Sequence, residues 1–110
     1  MIAATDNQSG VVNTKPAAFQ GDVDITFDEE NDTSGTFYGN TPTNEISTSD
    51  YSSGPNQRLT IPFLSMTKVG ETSWGKEFVD NIRSAQQYSF ESESKLVIKT
   101  TTKTLTFKRE

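Results

Sequence analysis

The sequence predicts an α+β fold that is mostly β, with about seven or eight short antiparallel strands curled into a partial barrel around one helix at about residues 73–86. Three observations predict it. Apolar and polar residues alternate in several short segments, a helical period of apolar residues occurs in one place, and the last connections are too short for parallel crossovers. With 110 residues, no linker and no internal repeat, the chain is expected to form one domain over 1–110.

The first part of the chain, 1–21, is loop-rich. A short strand is expected at 1–4 and an extended piece near 11–12, because turn-forming residues surround both. A strand with one wet face follows, since apolar residues then alternate with polar ones. Its apolar positions are Val23, Ile25 and Phe27.

The middle of the chain mixes strand formers with Ser, Gly and Pro. After an extended TFYGN segment, a strand is expected at Glu45–Ser49, a loop at Tyr51–Asn56 and a further strand over 59–64. Pro62 has no amide donor, which places that last strand at an edge or a bulge. Its inward residues are expected to be Leu59, Ile61 and Phe63.

A helical period replaces the strand period after residue 72. Thr72 or Ser73 is the natural N-cap, and Glu71 suits the positive end of the helix dipole. The apolar residues at helical spacing predict a face that packs on the core. They are Trp74, Phe78, Ile82 and Ala85.

The last part of the chain predicts three more strands, at Tyr88–Glu91, Lys95–Thr100 and Thr104–Arg109. The short segments SES and TTK between them favour an antiparallel meander. The inward candidates are Tyr88, Phe90, Leu96, Ile98, Leu105 and Phe107.

The composition removes several classes of function. A net charge of −5 and a pI near 4.7 oppose binding to nucleic-acid phosphates. The chain has no histidine and no cysteine, which excludes Ser-His-Asp and Cys-His catalysis, zinc held by those ligands and histidine-ligated haem. Carboxylates, lysines and tyrosines remain, and no catalytic, cofactor-binding or metal-binding residue is assigned.

Residues 28–35, DEENDTSG, resemble a calcium loop because oxygen-bearing side chains precede a glycine. Neither Asp28 nor Glu30, taken as the first position of an EF-hand loop, places a glutamate at position 12, and the flanking segments are strands rather than helices. A turn at Asn31-Asp32, with Gly35 allowing close passage of the returning strand, explains the segment without a metal. An adventitious cation site is the alternative.

The carboxylates near this turn are expected on strand exteriors and in turns, where solvation keeps their pKa values low, rather than paired in a hydrolytic cleft. They are Asp22, Asp24, Asp28, Glu29 and Glu30. Lys68 is expected to be a solvated lysine at a strand end, with a buried base or Schiff-base former as the alternative.

Glycines and aromatic residues also have two interpretations each. Gly35 and Gly39 indicate close strand packing, since the lysine and helix of a phosphate-binding loop do not follow them. Trp74 is expected in the core. In the alternative it lines a surface groove for sugar or peptide together with Tyr38 and Tyr51.

Six segments in order, DVDITFDEENDTSG, YGN, LTIPFLSMTKVG, WGKEFVDNI, AQQYSFESESKLVIK and TLTFKR, resemble the META domain family, also called HslJ-like, over about residues 22–109. Two family cysteines are absent: Gly39 precedes Asn40, and Glu71 stands where the second is expected, so no role of that pair is transferred. The tryptophan-bearing first strand of relatives is expected to be truncated here. The matching motifs are Ser34-Gly35, Asn40, Thr67-Lys68, Glu77-Phe78, Tyr88, Leu96 and Leu105-Thr106-Phe107.

The resemblance implies a small extracytoplasmic bacterial domain, in the periplasm or at the outer membrane, without an established catalytic activity. We therefore expect a non-enzymatic, monomeric envelope module that binds a protein partner or maintains the envelope. It would bind neither nucleic acid nor a cofactor, and would contact a membrane only through a lipid anchor outside this chain.

Two other functions stay open. One is a carrier that encloses a small apolar ligand in the curled sheet. The other is a carboxylate-based hydrolase. The carrier predicts a cavity lined by Phe37, Ile61, Phe63 and Phe90.

Overall fold

The computed structural model describes residues 1–15, 22–67 and 70–109. These ranges contain nine β-strands, more than the seven or eight predicted, and one α-helix. The fold is mostly antiparallel β, as predicted. The elements are β1 Ala3–Asp6, β2 Val12–Thr14, β3 Asp24–Asn31, β4 Ser34–Asn40, β5 Glu45–Gly54, β6 Arg58–Thr60, α1 Ser73–Val79, β7 Ala85–Ser92, β8 Lys95–Thr100 and β9 Lys103–Lys108.

The nine strands form one sheet in the order β2-β1-β9-β8-β7-β6-β5-β4-β3. The outer strands β2 and β3 are not paired with each other, so the sheet is not closed and the predicted partial barrel is not confirmed. The connection in the middle of the sheet is narrow. Arg58 of β6 and Gln87 of β7 form the one registered pair between those two strands.

The N-terminal region contains more regular structure than predicted. The strand expected at 1–4 is β1, shifted to Ala3–Asp6 because its register with β9 begins at Ala3 and Thr106. The extended piece near 11–12 is β2, which pairs with β1. The remainder of the loop-rich segment, residues 16–21, lies outside the described residues.

The wet and dry faces of β3 follow the predicted alternation. Val23, just before the strand, is fully buried, and Ile25 and Phe27 pack against the core. Asp24 and Thr26, between them, are exposed. Alternate residues point to opposite faces of a strand, so one face of β3 joins the core.

The segment predicted as a loop at Tyr51–Asn56 is mostly strand. β5 continues to Gly54 because its residues pair with β4 on one side and with β6 on the other. The chain turns only afterwards, at Pro55–Gln57, where Asn56 and Gln57 have φ values of 61° and 59°.

The strand predicted over 59–64 is reduced to β6, Arg58–Thr60. It lies between β5 and β7 in the interior of the sheet, so the edge position inferred from Pro62 is wrong. Pro62 lies beyond the strand, where no ladder hydrogen bond requires its missing amide. Leu59 and Ile61 are buried as predicted, but Phe63 is 64% exposed.

Helix α1 is half the predicted length. It begins as expected, with Thr72 as the N-cap whose hydroxyl accepts a hydrogen bond from the Gly75 amide at 3.0 Å. It ends at Val79 rather than at 86, and a 3₁₀ turn over Ile82–Ser84 follows. The helix cannot extend to 86 because Ala85 already pairs with Thr100 of β8, so the chain has become β7 by that point.

The helix face nevertheless packs as the spacing predicted. Trp74, Phe78 and Ile82 are all buried, and Phe78 meets Phe107 of β9 edge to face with ring centroids 6.2 Å apart. These side chains belong to one hydrophobic cluster, formed by Met1, Ala4, Val23, Phe37, Ile46, Leu59, Ile61, Trp74, Phe78, Ile82, Ile98, Leu105 and Phe107.

The last three strands match their predicted positions closely, with β8 at Lys95–Thr100 as expected. Ile98, Leu105 and Phe107 are buried, and Tyr88 and Leu96 pack against the core. Phe90 is the exception. It is 63% exposed because it lies beyond the cluster, near the end of β7.

Candidate functional site

Helix α1 lies at one end of the strands. Glu71, just before it, is hydrogen-bonded to Thr41 in the turn between β4 and β5. Asn81, just after it, accepts a hydrogen bond from Thr102 in the turn between β8 and β9 at 2.9 Å. Both turns lie at the same end of the antiparallel sheet, so the opposite strand ends extend away from the helix.

A groove of about 310 Å³ opens at those opposite strand ends. Leu59 and Ile98 of the core form part of its lining, so the groove extends outward from the hydrophobic cluster. Its volume is at the lower limit for small-molecule sites. The lining residues are Phe27, Glu29, Asn31, Asp32, Tyr51, Ser53, Leu59, Tyr88, Phe90, Leu96 and Ile98.

Two aromatic pairs line the groove. Phe27 of β3 and Tyr51 of β5 meet edge to face with centroids 5.3 Å apart. Tyr88 and Phe90, both on β7, meet at 6.2 Å and 79°. Strand alternation explains the second pair, since residues two apart point to the same face. An apolar ligand between the pairs would contact aromatic carbon on both sides.

Gly35 makes room for the Tyr51 ring. The two residues are register partners on β4 and β5, and a Cβ at position 35 would lie 2.7 Å from the Tyr51 hydroxyl oxygen. A tyrosine packed over a glycine on the neighbouring strand fills the space that the missing side chain leaves. A Cβ at position 35 would also overlap the backbone oxygen of Asp28 on β3, so the prediction that Gly35 allows close passage of the returning strand is confirmed.

The rim of the groove is acidic. Glu29 and Asp32 belong to its lining, whereas no lysine or arginine of the described residues does. Neither carboxylate forms an ion pair within the described parts of the chain. Burial raises the pKa of the Tyr51 phenol above its ordinary value of 10, and the negative charge of Glu29 raises it further. The Tyr51 hydroxyl therefore stays protonated at neutral pH.

The DEENDTSG segment forms the turn that was predicted. β3 ends at Asn31, residues Asp32 and Thr33 make the turn, and β4 begins at Ser34. The Asn31 side-chain oxygen accepts hydrogen bonds from the Thr33 amide at 2.9 Å and from the Thr33 hydroxyl at 3.1 Å. An Asx turn of this kind uses the asparagine oxygen to hold the chain reversal.

The four residues predicted to line one cavity are not brought together. Phe37 and Ile61 are 1% and 2% exposed within the core, and Phe63 is exposed to solvent. Of the four, Phe90 alone lines the groove. The sequence could not show that β5 extends past Tyr51, and this extension places Tyr51 and Ser53 at the groove.

The alternative aromatic surface is also not formed. Trp74 is 4% exposed in the core, as the preferred interpretation predicted, while Tyr38 is exposed beside a separate shallow depression with Asp24 and Glu45. Tyr51 alone of the three residues lines the groove. Lys68, the proposed strand-end lysine, lies outside the described residues.

Asp22 differs from the other carboxylates near the turn, which are exposed as predicted. It is half-buried, where it accepts a hydrogen bond from Trp74 Nε1 at 3.3 Å and lies 3.2 Å from Lys15 Nζ. Partial burial raises its pKa, but the Met1 ammonium and these hydrogen bonds lower it more, so the pKa lies below 3.8. Asp22 thus joins the helix to the N-terminal region.

Glu71 is the most fully hydrogen-bonded carboxylate near the helix. It accepts from the Thr43 hydroxyl at 2.9 Å, the Asn44 amide group at 2.7 Å and the Thr72 backbone amide at 3.1 Å, in addition to Thr41. Partial burial raises its pKa, but these four donors lower it more, so it titrates below 4.5. A carboxylate with this many donors is structural rather than a proton carrier.

This network predicts an acid-sensitive stability. Because the folded-state pKa of Glu71 is lowered, its contribution is present above pH 4.5 and is lost as the pH falls through the folded value. Urea unfolding from pH 6 to pH 3 should show a shallower loss of stability in Glu71→Gln than in the wild type. Glu45→Gln, which changes an exposed carboxylate, should keep the wild-type slope. Equal slopes in all three proteins would contradict the assignment.

The described residues form no cluster of three or more His, Cys, Asp or Glu side chains suited to a metal ion. Within the same ranges, no helix is both long and apolar enough to traverse a bilayer. Comparison with models of known protein families, with curated proteins and with solved structures found no match to the chain.

Proposed function

We propose that this chain is a non-enzymatic binding domain that carries a small ligand with an apolar body in the groove. The supporting observation is that two aromatic pairs, Phe27 with Tyr51 and Tyr88 with Phe90, line one open concavity. Large apolar side chains that stay exposed in a concave site are typical of ligand binding. Phe90, 63% exposed at the groove, would be covered by the ligand.

The absence of catalysis is part of the same proposal. The sequence has no histidine or cysteine, and Glu71 is held by four donors. The groove carboxylate Glu29 is exposed, so burial does not prepare it as a general acid. These features favour binding over reaction.

We place the domain outside the cytoplasm, as a META/HslJ-like envelope module, on the motif order given above. Glu71, at the position of one family cysteine, joins the start of the helix to the Thr41–Asn44 turn.

A protein partner in the envelope is the second candidate, and the free edge of β3 favours it. This eight-residue strand pairs only with β4 among the described strands, so its outer edge can accept an added strand. Exposed Asp24, Asp28 and Glu30 on β3 oppose pairing with a second copy through charge repulsion, which supports a monomer.

Binding of the neutral fluorescent probe N-phenyl-1-naphthylamine tests the carrier proposal. We expect saturable binding to the wild type. The affinity of Phe90→Ala for the probe should be lower by about tenfold or more, because this change removes an aromatic contact surface. Phe63→Ala is the matched control, since Phe63 is equally exposed, at 64%, but lies outside the groove. Equal losses in both variants would reject the proposal, as would a wild type that binds neither this probe nor phenyltrimethylammonium, tert-butylbenzene or benzenesulfonate.

A further inference from the structure

We infer that the ligand of the groove is an organic cation, namely a soluble amine or quaternary ammonium compound with an apolar body. This inference rests on the proposed function and specifies the chemical class of the ligand. It depends on aromatic faces and carboxylates lining the same concavity.

The aromatic rings of the groove attract a cation. The face of a phenylalanine or tyrosine ring carries negative electrostatic potential, and a cation within about 6 Å of a ring centroid is attracted to it. Rings from β3, β5 and β7 line the groove, so a bound cation would contact rings from several strands. Sites built from several aromatic rings are the usual means by which proteins bind quaternary ammonium groups.

The carboxylates at the rim of the groove attract a cation as well. Glu29 lies two residues after Phe27 on β3, so both side chains point to the groove face of the strand. Asp32 follows in the turn and also lines the groove. The opposite face of β3 carries Asp28 and Glu30, and these add to the negative potential around the strand end.

Charge complementarity then decides between ligand classes. A neutral apolar ligand would desolvate Glu29 without replacing its water contacts, and an anionic one would also be repelled. A cation instead gives Glu29 and Asp32 a counter-charge that the described residues do not supply. The phenol of Tyr51 stays uncharged in this field and contributes its ring and hydroxyl.

Three probes of similar size test the charge preference: phenyltrimethylammonium, its neutral carbon isostere tert-butylbenzene, and the benzenesulfonate anion. Titration calorimetry at low salt should give a dissociation constant for the cation that is at least about fivefold below that of the neutral isostere. Hydration alone favours transfer of the neutral compound, so the aromatic faces and carboxylates of the groove must cause such a preference. The anion should bind more weakly than both.

Substitutions at Glu29 and Asp32 test whether these carboxylates cause the preference for the cation. In the double variant Glu29→Gln/Asp32→Asn, the cation should lose about threefold to fivefold in affinity while the neutral isostere keeps its own. Glu45→Gln, the same charge change at the other end of β5, should alter neither. Thermal melts of each variant confirm that the comparison is made on folded protein.

The possible outcomes separate the two proposals. Equal or tighter binding of the neutral isostere, or an undiminished cation preference in the double variant, overturns the cation inference and leaves the groove as a carrier site. Failure of all three probes and of the naphthylamine probe to bind the wild type rejects both.

Discussion

Replacing Phe78 with alanine is expected to lower the free energy of unfolding by about 3–5 kcal/mol. Phe78 is fully buried, and its ring packs edge to face on Phe107 while Trp74 and Ile82 occupy the same cluster. Truncation leaves a cavity, because the sheet that packs on the Phe78 ring cannot move in to fill the space. Domains of this size are stable by about 5–15 kcal/mol, so the loss is a large share of the total.

Urea unfolding monitored by Trp74 fluorescence measures this loss. Phe63→Ala is the control, because the Phe63 side chain is mostly exposed and its truncation should change stability by no more than about 0.5 kcal/mol. Similar midpoints for Phe78→Ala and the wild type would show that the helix does not pack on the sheet as described.

Replacing Gly39 with alanine is expected to cost about 3 kcal/mol, at the upper end of the usual range for overpacking. A methyl group at position 39 would overlap the backbone carbonyl of Asp24 and lie 2.9 Å from the Cα of Ile25. Both obstacles are backbone atoms of β3, so no side-chain rotation relieves them. The two strands must separate, and their ladder weakens.

Gly70→Ala is the matched control for this prediction. A methyl group at position 70 would meet no atom of the described residues within 4 Å apart from its chain neighbours, so alanine there should be neutral or slightly stabilising. Thermal unfolding of both variants, with hydrogen exchange of the β3 amides, provides the comparison. Equal melting temperatures would mean that β3 and β4 are not as close as the structure has them.

The period of the sequence predicted most of the core. Ile25, Phe78 and Leu105 were identifiable because strand and helix periods each direct alternate or fourth residues inward. The helix end was not identifiable in this way. Ile82 is buried at the helical spacing from Phe78, although it lies in a 3₁₀ turn. The apolar period therefore continues past the end of the helix and does not show where the chain changes to strand before Ala85.

The residues that line the groove could not be predicted from local sequence patterns either. Phe90 follows Tyr88 at strand spacing and resembles a core residue, but its exposure depends on how far the cluster extends between distant strands. Tyr51 is followed by Ser52, Ser53 and Gly54, which resemble a loop, and its strand is fixed by pairing with Gly35. The sequence pattern placed Glu29 on the solvent-exposed face of a strand. Any solvated carboxylate gives the same pattern, so a position at a groove could not be recognised. Only the sheet order brings these three residues to one place.

The narrow junction between β6 and β7 has a consequence for recognition. Phe27 and Tyr51 lie on one side of that seam and Tyr88 and Phe90 on the other, while the Arg58–Gln87 pair is the one registered link between them. We expect a junction with one registered strand pair to open more easily than the full ladders on either side of it. If the groove carries a ligand as proposed, the two aromatic pairs would then adjust their spacing to the thickness of that ligand, which would give a carrier of broad rather than narrow selectivity.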